Sequence, residues 1–111
     1  MQDMKYAVAL AFFLHSAPAG AQQLGNALEG LAYARDHCGE CHGVEAAKQD
    51  FSPNIDAPDF SEVANSPGMT ERALAVWLQT SHPTMPDFMI AAEDRDDLIA
   101  YIMSLKTVPP Q

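Results

Sequence analysis

The chain's two cysteines stand three residues apart, in Cys38-Gly39-Glu40-Cys41-His42, and this spacing limits the possible folds more than any other feature. A chain of 111 residues has room for one domain. Chains this small bury a limited fraction of their surface, and secreted ones usually add several disulfides to compensate. Cysteines this close cannot staple distant segments, so something else must complete the core.

A C-x-x-C-H run is the pattern for covalent haem attachment. Thiols three residues apart reach the two vinyl groups of one porphyrin and form thioethers. The adjacent imidazole of His42 is then held close enough to ligate the iron, and Gly39 lets the turn fold tightly against the ring. A thioredoxin-like dithiol needs a strand-to-helix context that the chain lacks. For a Cys₂His₂ zinc site the only other histidines after the leader are His37, adjacent to Cys38, and the distant His82, so the set is strained. One haem c, bound through Cys38, Cys41 and His42, therefore fills the core that disulfides do not.

The first residues read as a secretory signal peptide, residues 1–21, ahead of a single domain at residues 22–111. Lys5 precedes the apolar run Ala7–Leu14, and Ala19-Gly20-Ala21 supplies a small-residue exit. The run is far shorter than the roughly 20 residues a membrane span needs, so no span is expected after cleavage, and the mature protein is expected in the periplasm. The chain carries 6 basic and 15 acidic residues, a net charge of −9. The leader removes one charge of each sign, so the imbalance persists. An acidic surface repels nucleic acid and anionic membranes and favours redox protein partners with a basic docking patch. The protein is expected to be a monomer.

The mature region reads as helices joined by loops. Asn26 is a candidate N-cap with Glu29 three residues on, opening a helix over Ala27 to about Arg35 with Leu24, Leu28 and Leu31 on one face. Val44 to Pro58 is loop-like. Asp59-x-x-Glu62 caps a short turn with Phe60, Val63 and Ala64 inward, and Ser66-Pro67-Gly68 breaks it. Thr70 starts a helix with Leu74, Trp77 and Leu78 on one face, stopping near Ser81 ahead of Pro83. The last helix has Glu93, Asp94, Asp96 and Asp97 at its positive end and Leu98, Tyr101, Ile102 and Leu105 at helical spacing. Lys106 and Pro109-Pro110 close it.

Haem in electron carriers is typically held by His and Met. Four methionines follow the motif. Met103 falls on the packing face of the last helix as core filler, Met69 precedes a helix, and Met89 is the fallback. Met85, in His82-Pro83-Thr84-Met85-Pro86, is stiffened by prolines on both sides. Rigidity matters because a weak iron–thioether bond is lost if the loop must first be ordered. Met85 is the expected second axial ligand beside His42. His82 is the alternative, a bis-histidine site of lower potential; its ordinary role is to end the Trp77 helix.

With these features in place, nearly the whole mature chain resembles the class I cytochrome c family, in its short bacterial mono-haem form. The resemblance runs through an N-terminal helix entering Cys-Gly-Glu-Cys-His, a proline-bearing loop, a Trp helix, a Met loop and a C-terminal helix. It implies an all-α fold of 3–5 helices wrapped around one covalent haem. Gly30 and Tyr101 match the positions where the family's first and last helices cross. The family's proximal imidazole donates to a proline carbonyl; Pro58-Asp59-Phe60 resembles that element, as does Pro53-Asn54-Ile55, and Pro58 is preferred. Trp77 resembles the tryptophan that walls the haem. The chain is acidic, with Lys48 and Lys106 the only lysines after the leader, so a lysine ring around the haem edge is not available. The resemblance implies no enzymatic activity but one-electron transfer by His/Met iron. The alternatives are a dedicated cytochrome subunit or direct electron acceptor of a periplasmic dehydrogenase, and a ligand-binding or peroxidatic haem with an open iron position.

Overall fold

The computed structural model describes residues 24–45, 51–86 and 89–107. The expected leader, residues 1–21, and the closing Pro109-Pro110 lie outside these. Among the described residues there are four helices and no strand: α1 (Ala27–His37), α2 (Phe60–Asn65), α3 (Glu71–Trp77) and α4 (Ala92–Ser104). All four match expected elements. α4 is the spine against which the other three pack.

The local reasons for each helix are visible at its start. Thr70 caps α3 by accepting from the Ala73 N–H, and Asp59 caps α2 in a reciprocal box with Glu62. α4 opens at Ala91 with no side-chain cap; Glu93 and Asp94 in its first turn meet the positive helix end instead. α3 ends at Trp77, short of Ser81. Beyond it the chain tightens into three-residue turns, and the Gln79 and Thr80 side chains donate back to the carbonyls of Ala75 and Val76.

The N-terminus of α1 departs from expectation. The Asn26 side chain accepts from Leu28, but the Asn26 N–H donates to Asp97 Oδ1 at 2.6 Å rather than to Glu29. The expected capping box is thus replaced by a bond between helices. Leu24 and Leu28 are exposed, and the α1 residues that bury fully are Gly30 and Ala34. The small residues go inward because α4 approaches there backbone to backbone. A Cβ on Gly30 would overlap the Asp97 carbonyl and lie 2.8 Å from Tyr101 Cβ. Gly25, at φ +95, meets the Asp96 carbonyl in the same way.

Ala34, Val44, Phe60, Ala64, Leu74, Leu98, Ile99, Tyr101 and Ile102 form one core. Leu98 and Ile102 are the largest fully buried side chains, each worth about 1.5–3 kcal/mol of burial. The far end of α4 is tied down by polar groups. Asn65 Oδ1 accepts from the N–H and hydroxyl of Thr107, its Nδ2 donates to the Ser61 and Leu105 carbonyls, and Lys106 donates to the Met69 carbonyl.

Candidate haem site

The C-terminus of α1 delivers the motif. Cys38 is the helix's C-cap, its N–H donating to the Ala34 carbonyl, and Gly39 donates to that same carbonyl. The Cys41 and His42 N–H groups then turn back to the Cys38 carbonyl at 3.2 and 2.9 Å. Both thiols and the imidazole come out of one tight turn. Gly39 fits there closely, since the Arg35 carbonyl would lie 3.0 Å from an added Cβ. Both cysteines are half-buried free thiols. Burial pushes the Cys38 thiol up to about 11.

The loop after residue 50 clamps this turn. Asn54 donates to the Cys41 carbonyl at 3.2 Å, Gly43 donates to Ser52 Oγ at 2.9 Å, and Phe60 donates to the Gly43 carbonyl at 2.8 Å. Arg35 pairs with Glu45 at 2.5 Å on the other side, a partly exposed contact worth at most about 1 kcal/mol.

The outcome of the clamp is the placement of His42. Its Nδ1 lies 2.7 Å from the carbonyl oxygen of Pro58. A carbonyl only accepts, so Nδ1 carries a proton, and in the neutral ring Nε2 keeps its lone pair. Of the two prolines in the loop, Pro58 makes this bond. The Phe60 ring stands 5.3 Å from the imidazole and braces it laterally.

Trp77, His82 and Met85 form a second group at the end of α3. Trp77 is 54% exposed, and His82 meets it edge-on at 5.6 Å, with its Nδ1 donating to the Thr80 carbonyl at 2.9 Å. Met85 is half-buried at the end of a turn that its N–H closes on the His82 carbonyl. The other methionines differ in setting: Met69 and Met103 pack against the core, and Met89 is fully exposed.

The donor set fits a covalently attached haem: two thiols from one turn, and an imidazole whose tautomer leaves Nε2 unprotonated for a metal. No three His, Cys, Asp or Glu side chains converge on a metal position among the described residues, so neither His37 nor His82 joins the cysteines in a zinc cluster. Ser52 has no mark in the sequence as part of this site, and Asn54 and Phe60 are marked there only as neighbours of the two candidate prolines. Ser52 acts through its hydroxyl oxygen, which accepts from the Gly43 N–H, and Asn54 through its backbone N–H, single bonds across the loop that no residue pattern marks.

The sequence profile of the family described as Cytochrome c matches residues 27–106, which spans all four helices. Cytochrome c-552 of Bradyrhizobium diazoefficiens is 35% identical over 77 residues, covering 69% of this chain and 72% of that protein. No solved structure gives a significant match.

Proposed function

This chain belongs to the cytochrome c family, and from that premise we propose that it is a periplasmic one-electron carrier with His42 and Met85 as axial ligands. Cys38 and Cys41 anchor the covalent haem c that the family carries. When bound, the haem supplies a one-electron iron couple, whose potential the axial ligands and surroundings set.

The observation that carries this reading is the 2.7 Å bond from His42 Nδ1 to the Pro58 carbonyl. It fixes the ring, raises the basicity of Nε2 and leaves that nitrogen as the donor to iron. Met85 is supported by its setting, half-buried between Pro83 and Pro86, whereas Met69 and Met103 are engaged in the core and Met89 is fully exposed. Together His42 and Met85 would fill both axial positions of the iron in either oxidation state, so that little would reorganise on electron transfer. Trp77, half-exposed and edge-on to His82 of this loop, offers apolar area for the haem wall.

The leader-like segment at residues 1–21 supports secretion, and no helix among the described residues is long and apolar enough to cross a membrane. The net charge of −9 favours partners that present a basic face. Asp36, Glu40 and Asp56 are exposed on the segments that carry and clamp the motif, which places acidic groups beside the attachment turn. The test is the far-red sulfur-to-iron charge-transfer band of the oxidised protein. It is expected to vanish in Met85→Ala and to persist in Met89→Ala; the reverse pattern refutes the assignment.

A further inference from the structure

Resting on the His42/Met85 reading, we infer that His82 is a built-in reserve ligand, placed to take the sixth iron position when Met85 is lost. Three observations converge on it. First, His82 and Met85 are the two ends of one β-turn: the Met85 N–H closes on the His82 carbonyl at 3.4 Å, with Pro83 and Thr84 between. Proline second and a positive φ third is the arrangement of a type II turn, whose ends lie less than about 7 Å apart. Two side chains able to bind iron thus leave the backbone within one turn of each other.

Second, the His82 imidazole is already arranged as metal-binding histidines are. Its Nδ1 donates to the Thr80 carbonyl at 2.9 Å, so in the neutral ring Nε2 is the nitrogen left for a metal. The same device holds His42 on Pro58. The ring stands edge-on to Trp77 and is half-buried, which orients it and limits its freedom. Third, the turn is strained. Thr84 has φ +71, a region that β-branched residues rarely occupy. A turn held under strain yields more readily than a relaxed one, and a shift confined to residues 82–85 lies outside both α3 and α4, with the Thr80 bond keeping the ring's Nδ1 occupied. Replacing the thioether with an imidazole keeps the iron low-spin and six-coordinate, lowers the potential and closes the position to small ligands.

The test uses the mature holoprotein. Ferric Met85→Ala is expected to be low-spin by electron paramagnetic resonance, and its ferrous form to bind carbon monoxide poorly. The double variant Met85→Ala/His82→Ala is expected to be high-spin, to bind carbon monoxide readily, and to return to low-spin with added imidazole. Met85→Leu, which keeps the side chain's volume, serves if the alanine variant does not mature. Adding Thr84→Gly to Met85→Leu removes the strain that favours rearrangement, and roughly a tenfold rise in the high-spin to low-spin ratio is expected. A high-spin Met85→Ala, or a low-spin one indifferent to His82→Ala, overturns the proposal. The His42/Met85 reading fails separately, on a wild-type protein whose sulfur-to-iron band is absent or survives Met85→Ala.

Discussion

Replacing Gly30 with alanine sets two effects of opposite sign against each other, and the structure decides between them. In an isolated helix the change would stabilise by about 1 kcal/mol, the propensity difference between the two residues. Here the new Cβ would overlap the Asp97 carbonyl and lie 2.8 Å from Tyr101 Cβ, against an ordinary carbon–carbon separation of about 3.5–4.0 Å. Asp97 and Tyr101 present backbone and a Cβ, which cannot swing aside, so α1 and α4 must part by roughly 1 Å. A gap of that size forfeits up to half of the dispersion attraction across the contact, and overpacking of this kind typically costs 1–3 kcal/mol or more. Parting the helices also strains the Asn26–Asp97 bond. The net expectation is a loss of about 2 kcal/mol, or roughly 10 °C in Tm for a domain of this size. Guanidinium unfolding of the holoprotein, followed by far-UV circular dichroism, measures it as a lowered midpoint at unchanged slope. Gly68→Ala is the control: Gly68 has φ +77 but open space around it, so only the backbone penalty of roughly 1 kcal/mol applies. A Gly30→Ala protein as stable as wild type would refute the close-crossing argument.

Two further expectations concern polar ties. The Asp59 carboxyl is held below its usual range, chiefly by the Ser61 hydroxyl and further by backbone N–H groups of Glu62 and Ser61. A depressed carboxylate stabilises above its unfolded value of about 3.9 and loses that contribution as pH falls through the native value. Asp59→Ala should therefore cost about 1 kcal/mol at pH 7, and the gap to wild type should narrow below about pH 4; an equal gap at both pH values contradicts the capping role. Asn65→Ala removes the side chain that joins α2 to Leu105 and Thr107. It should destabilise by about 1–2 kcal/mol and speed amide exchange at the C-terminal end of α4, measured by hydrogen–deuterium exchange; unchanged exchange there would show that the tie is dispensable.

What could be read directly from the chain was whatever depends on neighbours within one turn. The attachment motif is of that kind, because two thiols and an imidazole at fixed short spacing leave the helix end together whatever the remaining fold does. So are the caps at Asp59 and Thr70 and the apolar stripe of α4, and together they were enough to read a small helical domain. The tertiary structure decided the contacts that depend on chain crossing. Periodicity drew attention to Leu24 and Leu28, yet α1 buries Gly30 and Ala34, because a partner backbone close enough to touch leaves room only for small residues. Asn26 turned from Glu29 to Asp97 for the same reason. Pro58 and Pro53 look alike in sequence, since the group that meets His42 is a backbone carbonyl, which every residue possesses. Only the clamp made by Ser52, Asn54 and Phe60 brings that of Pro58 to the ring.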